Sequence, residues 1–216
     1  MMRLKKRIAI VSGAAGGIGE GIAKAYASEG ATVLACDLNE DGAAATAKEI
    51  NQNGGVAFSR HIDITDYNAV QGMIGKYASE HGKLDIIANV AGTGQRHSFL
   101  EAKVEEFERV MQVNLMGTFI CGQAAAREMV KQGYGRIVNI ASIAGTRAGS
   151  GRTAYGTSKS AVIGLTRQAA LELAPHGITV NAVAPGPVDT PLTRVTHNEV
   201  TREGYKQLIP AGRYGM

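Results

Sequence analysis

The chain has 216 residues, 44% of them hydrophobic, enough for one α/β domain with a sizeable core. Its formal charge of +4 comes from 23 basic against 19 acidic residues; aromatics make up 5% and tryptophan is missing, so the basic, aromatic-interleaved stripe of a nucleic-acid binder is not present. No apolar run is long enough to span a membrane, no signal-type apolar core precedes a cleavage site, and no His or Cys spacing makes a metal site.

These exclusions make the cytoplasm the expected location. Cys36 and Cys121 lie in the apolar runs "TVLACD" and "GTFICG" and read as small buried thiols in a reducing compartment. The opening "MMRLKKR" reads as a solvated leader to the first strand. "RIAIVSG" is then an apolar run closed by glycine, a buried strand. "GIGEGIAKAYASEG" has helical spacing and stops at Gly30. "ATVLACD" is a second strand, and "NEDGAAATAKEINQNGG" a helix capped by Asn39. "VAFSRHID", "LDIIANVAG", "GRIVNIAS" and "ITVNAVAP" are four further strands. Between them come helices over "TDYNAVQGMIGKYASEHG", the long "VEEFERVMQVNLMGTFICGQAAAREMVKQG" and "AYGTSKSAVIGLTRQAALELAPHG". Strands alternating with helices give parallel β-α-β units, and strands apolar throughout imply a sheet covered on both faces. The expected fold is a doubly wound, Rossmann-like three-layer α/β/α domain, one unit over residues 1–216.

After the first strand, "SGAAGGIGEG" places Gly13, Gly17 and Gly19 in a strand–turn–helix setting. Such glycines let the backbone approach a pyrophosphate at the positive end of the next helix; the competing reading is a packing turn. Asp37 ends the second strand close to the ~20-residue spacing at which an acid accepts from the adenosine ribose hydroxyls. Its carboxylate repels a 2′-phosphate and no Lys or Arg flanks it, so NAD(H) is expected over NADP(H).

Tyr155 and Lys159 are one helical turn apart and share a face. A nearby ammonium favours the phenolate, so the lysine is expected to lower the pKa of the tyrosine and fit it for proton exchange with an alcohol or carbonyl. Ser142 falls at the carboxyl end of the fifth strand, where its hydroxyl either holds a substrate oxygen or caps a turn. Asn114 is a polar residue inside the apolar "MQVNLMG" and needs partners, which allows a structural clamp on the fourth strand.

Taken together, these segments resemble the short-chain dehydrogenase/reductase family of the classical type. "SGAAGGIG" matches its glycine motif with Ser12 in place of threonine; "NVAG" at 89–92 matches its N-N-A-G with Val90 departing; Tyr155 and Lys159 fit Y-x-x-x-K; and "PGPVDT" follows the sixth strand. The resemblance implies a catalytic set of Asn114, Ser142, Tyr155 and Lys159. Lys159 then also holds the nicotinamide ribose, and Asn114 a relay water. It implies cofactor contacts from Gly13, Gly17, Ile18, Gly19, Asp37, Asp63, Ile64, Asn89, Ala91, Gly92, Tyr155, Lys159, Pro185, Gly186, Val188 and Thr190. Asp63 would lie beside the adenine, although a helix cap competes for it. The family commonly continues into another helix and a seventh strand, which this sequence lacks after "IPAGRYGM".

The expected activity is hydride transfer between NAD(H) and a secondary alcohol or ketone. A 3-oxoacyl-carrier-protein reductase of fatty-acid synthesis shares every motif, and a non-catalytic nucleotide-binding protein is the reading from outside the enzyme class. Pocket walls are expected from 92–102, 143–153 and a lid over 186–209, with Arg96, Arg147 and Arg152 either facing water or meeting an anionic substrate. Apolar or small residues on more than one face of the helices at 104–131 and 155–174 point to a homodimer or homotetramer.

Overall fold

The computed structural model describes residues 2–94 and 96–216; Met1 of the basic leader and Gln95 of the predicted pocket wall lie outside the described residues. Six parallel strands, β1 (Ile8–Ser12), β2 (Thr32–Asp37), β3 (Val56–His61), β4 (Ile86–Asn89), β5 (Gly135–Ile140) and β6 (Ile178–Val183), form one sheet in the order β3-β2-β1-β4-β5-β6. The order reverses between β1 and β4, and at such a switch point a crevice opens beyond the carboxyl ends of the strands.

Register sets what lines that crevice. Ser12 pairs with Asn89, and Asn89 with Asn139, so the carboxyl ends of β1, β4 and the neighbouring β5 bring three polar residues to one level. Below them the strands are apolar. Ile10, Leu34, Ile87 and Ile137 face one core with Ile74 and Met129, and Ala9, Val11, Val33 and Ala35 face the other with Ala23 and Ile50. Each fully buried branched side chain stabilises the fold by roughly 2 kcal/mol.

Helices α1 (Gly17–Ser28), α2 (Glu40–Gln52), α3 (Tyr67–His81), α4 (Val104–Met111), α5 (Thr118–Gln132) and α6 (Thr153–Leu173) cover the sheet. Asn39 caps α2 as expected, accepting from the Gly42 amide. The cap of α3 is Asp66, not Asp63; Asp63 instead accepts from the amide and hydroxyl of Thr65 in a local turn.

The predicted long helix over 104–133 is not one α-helix. A π-helical turn, Gln112–Gly117, separates α4 from α5 and contains Asn114. A widened turn shifts the residues that face the sheet, and such turns gather at functional sites. Gly117 within it leaves room for Ile64, whose side chain occupies the space a Cβ would take.

Beyond β6 the weakly helical stretch folds into two short helices, α7 (Pro191–Thr196) and α8 (Glu199–Leu208). Thr190 caps α7 in a reciprocal capping box with Thr193. Gly215 pairs with Val188 in an isolated bridge, so the segment after α8 returns to the loop after β6. No helix among the described residues is long and apolar enough to cross a membrane.

Candidate active site

The glycine loop shows why it is built of small residues. Gly13 has φ 71°, and a Cβ there would stand 2.6 Å from the Ala91 amide nitrogen. Gly17 has φ 58°, and a Cβ there would press on Thr190 at 3.0 Å. A Cβ on Gly19 would collide with the Gly13 carbonyl. The loops after β1, β4 and β6 therefore converge on one point, and only residues without side chains fit there. Ser12 reinforces the junction: its hydroxyl accepts from the amides of Val90 and Ala91 at 3.1 and 3.3 Å.

No side chain caps α1, which begins at Gly17. Its first amides follow a loop of glycines and alanines, with Thr190 and Pro191 packed beside Gly16 and Gly17, and such uncapped amides suit a pyrophosphate. Asp37 stands at the loop's flank, its carboxylate accepting from Ala15 at 3.0 Å and from Asn39 at 2.9 Å. It ties the loop tip to β2 while staying partly exposed, with lone pairs left for ribose hydroxyls. Leu38 and Asn39, which follow it, bring no positive charge for a 2′-phosphate. These residues fit the pyrophosphate and adenosine ribose of a nicotinamide dinucleotide.

Farther along the crevice, Asn114 is 0% exposed. Its amide accepts from the Thr93 N–H at 2.8 Å and donates to the Thr93 carbonyl and the Ser158 hydroxyl, both at 2.9 Å. This is the clamp on the segment after β4, and it links that segment to α6. Asn89 donates to Asn139, which donates to Thr166 on α6. A Cβ at Gly92 would meet Asn114 Oδ1 at 3.1 Å and Lys159 Nζ at 3.5 Å, and one at Gly94 would touch the Tyr155 ring at 3.3 Å.

Tyr155 and Lys159 do share a cleft, but the electrostatics differ from the expectation. Lys159 is 4% exposed and donates to the Ile140 carbonyl at 2.7 Å, with Nζ 5.8 Å from the Tyr155 ring centre. Burial lowers its pKa to about 8. Burial also raises the pKa of Tyr155, while the Ser142 hydroxyl and the Arg152 guanidinium pull the other way. The tyrosine pKa is thus raised and not lowered: burial dominates, and the Lys159 ammonium, directed at a backbone carbonyl, is not among the groups that oppose it.

Ser142 is 8% exposed and its hydroxyl accepts from Ala144 N at 3.1 Å, capping a single 3₁₀ turn, Ile143–Gly145. Its own proton remains available to a substrate oxygen. The turn-capping reading of Ser142 is thus observed, and it leaves the hydroxyl proton free for the other role. Pro185 accepts from Ile143 at 3.0 Å, which fixes the loop after β6 against this turn. Gly186 and Val188 follow in that loop, and Ile64 is buried beside the π turn. Asp63 is exposed at the rim, held by Thr65.

A second group joins Arg96 and Arg152 of the expected pocket wall to residues that no motif marks. His197 is buried, with Nδ1 2.9 Å from the Tyr214 hydroxyl and Nε2 hydrogen-bonded to Arg152. A guanidinium only donates, so Nε2 accepts and Nδ1 carries the proton. The imidazole is neutral: burial and the positive charges of Arg152, Arg96 and Arg202 lower its pKa to about 4. Tyr205 stacks on the ring at 5.3 Å, and Arg152 lies over the Tyr155 ring at 5.4 Å. No local pattern betrays these contacts, because they join a helix entry, a short loop and the segment after α8. Among the described residues no group of three acidic, His or Cys side chains is placed to hold a metal ion.

Comparison with known proteins agrees with this fold. Residues 7–201 match the family model described as short chain dehydrogenase. A 3-oxoacyl-[acyl-carrier-protein] reductase from Thermotoga maritima is 36% identical over 214 residues, covering 99% of this chain and 87% of the relative. Among solved structures, NAD+-bound xylitol dehydrogenase superposes with a TM-score of 0.91 at 33% identity, covering 99% of this chain and 88% of that one. A proposed NAD(P)-dependent gluconate 5-dehydrogenase from Beutenbergia cavernae, with NADP at low occupancy, gives 0.92 at 36%, covering 98% and 85%.

Proposed function

Because the chain belongs to the short chain dehydrogenase family of oxidoreductases, we propose that it moves a hydride between NAD(H) and a secondary alcohol or ketone, with Tyr155 as the proton donor and acceptor. The observation that carries this reading is the placement of Tyr155, partly buried beside Ser142, over a fully enclosed Lys159 at the carboxyl end of β5. When bound, the nicotinamide supplies the site that accepts or gives the hydride. Tyr155 takes the alcohol proton or returns one to the carbonyl. Ser142 donates a hydrogen bond to the same oxygen and steadies its charge. Lys159, within reach of Tyr155, supplies positive charge below about pH 8. Asn114 fixes the loop beside them through Thr93.

The preference for NAD(H) is supported by Asp37, whose carboxylate occupies the flank where a 2′-phosphate would need a cation. Residues 1–216 form one catalytic unit in this reading, with 186–209 as a lid over the substrate. Exposed Met116, Phe119 and Leu171 on the outer helices support self-association. A steady-state comparison of NADH with NADPH across a panel of ketones tests the assignment: NADH is expected to give the higher kcat/KM, and turnover with neither cofactor would reject it.

A second reading, 3-oxoacyl-carrier-protein reduction, is favoured by the names of several similar relatives. It predicts NADPH preference and turnover of an acetoacetyl thioester on the carrier protein.

A further inference from the structure

A cavity of about 480 Å³ opens between α8 and the loop that joins β5 to α6. Arg96, Arg147 and Arg152 line it, together with the apolar Ile143 and Leu208 and the ring of Tyr205. No aspartate or glutamate is among its lining residues. Of the acidic residues nearby, Asp189 pairs with Arg194 and Arg202, Glu203 with Lys206, and Glu106 with His97, while Glu199 at the start of α8 is not among the lining residues. Among the described residues, none of the three arginines has an ion-pair partner. Two of them are nevertheless held in place, while Arg147 is exposed at the cavity wall. Arg96 donates to the Thr201 hydroxyl on α8. Arg152 is hydrogen-bonded to the neutral, buried His197, and lies over Tyr155 at 5.4 Å.

Three guanidinium groups around one small cavity, two of them fixed by side-chain contacts, make a positive, donor-rich site, and planar guanidinium forks match carboxylate and phosphate oxygens in pairs. Tyr155 stands at one end of this positive wall. Ile143 and Ala144, two more lining residues, directly follow Ser142 in the chain. A molecule whose alcohol carbon sits at Tyr155 and Ser142 would therefore direct its other end toward the arginines.

We propose that this cavity binds an anionic group of the substrate, so that the preferred substrates are hydroxy acids or phosphorylated alcohols, with the matching oxo compounds in the reverse direction. The proposal rests on the assignment of Tyr155 as the acid–base. In the oxidation, the alcohol carbon loses its hydrogen with both electrons to NAD+, its hydroxyl proton goes to the Tyr155 phenolate, and the products are the oxo compound and NADH. The anionic group takes no part in the bond changes. His197 is a positioning residue that acts through Arg152.

The test uses matched sets on one carbon skeleton: a hydroxy acid, its primary amide and the corresponding phosphate monoester, each with NAD+ and the full chain. The expected result is kcat/KM at least about tenfold higher for the acid or the phosphate ester than for the amide; which of the two leads identifies the anion. Replacing Arg147 or Arg152 by Gln should lower the acid-to-amide ratio by about tenfold, whereas Arg→Lys should restore part of it. His197→Ala should lower the same ratio through KM with kcat less affected. Equal use of acid and amide, with turnover intact, would overturn the anion site and leave the hydride-transfer reading standing. Should no compound turn over, that reading fails, and the acids and amides are titrated by thermal shift against the NADH-bound protein. Stabilisation by acids alone, lost in Arg147→Gln, would support the site, and its absence would overturn it.

Discussion

Lys159 points its ammonium at the Ile140 carbonyl, 2.7 Å away, and not at the hydroxyl of Tyr155 one turn earlier on the same helix. The interaction joins α6 to the end of β5, so the lysine fixes the distance between the helix that carries Tyr155 and the strand that leads to Ser142. Its proton is also loosely held. A lysine free in water titrates near ~10.4, and burial brings this one to about 8.

The first consequence is a pH dependence of cofactor binding. Between about pH 7 and about pH 9 Lys159 loses the charge with which it would donate to the ribose of a bound cofactor. NADH affinity, measured by fluorescence titration, is expected to weaken over this range in the wild type. In Lys159→Met it should be weaker at the low end and flat. A wild-type affinity that does not vary over the range contradicts the assignment.

The proposed preference for NAD(H) turns on Asp37. Asp37→Ala removes the charge that repels a 2′-phosphate but also the acceptor for the ribose hydroxyls and the tie to Ala15. The ratio of kcat/KM for NADH to that for NADPH should fall by at least about tenfold. Adding a cation, in Asp37→Ala/Leu38→Arg, should carry it further toward NADPH.

Gly13 and Gly21 make a matched pair within one motif. An alanine at Gly13 must adopt φ 71° and place its Cβ 2.6 Å from the Ala91 nitrogen, whereas at Gly21, inside α1, a Cβ meets nothing within 4 Å. Gly13→Ala should destabilise the protein by at least about 1 kcal/mol and weaken NADH binding. Gly21→Ala should raise stability by about 0.5–1 kcal/mol, seen as a higher Tm.

His197 makes stability sensitive to acid. Its folded pKa, about 4, lies below the value near ~6.5 of an unfolded chain, so the unfolded state binds the proton more readily between them. The contribution is present in full above pH ~6.5 and drains away as pH falls toward ~4. The groups facing the imidazole are Arg152, Arg96, Arg202, Tyr205 and Tyr214, and the three arginines all oppose its charging. Thermal melts across this window should show a steeper acid loss for the wild type than for His197→Asn.

The sequence disclosed most where a local rule decides the outcome. Strands apolar throughout, such as "IAIVS", can only be buried on both faces, and the glycine turn between β1 and α1 can only be a close approach of backbones. Asn39 caps α2 because its side chain reaches the Gly42 amide only three residues on, a contact that local sequence decides. Where tertiary packing decides, the local pattern misled or was silent. The helical periodicity of 104–133 conceals the π turn at Gln112–Gly117, because the extra residue is accommodated by Asn114 and Ile64 and not by any breaker in the sequence. The i, i+4 rule put Tyr155 and Lys159 on one face, correctly, yet could not show that the Ile140 carbonyl claims the ammonium. His197 and Tyr214 carry no motif at all; their meeting depends on how the chain after α8 returns to the loop after β6.

The proton transfer assigned to Tyr155 is tested most directly by Tyr155→Phe, assayed for NADH binding and for turnover on the same sample. The ring, its packing on Gly94 and its place over Lys159 are all kept; only the hydroxyl is removed. NADH affinity within about twofold of the wild type, with kcat lower by about a thousandfold, is the expected result. Turnover that survives at the wild-type rate would contradict it.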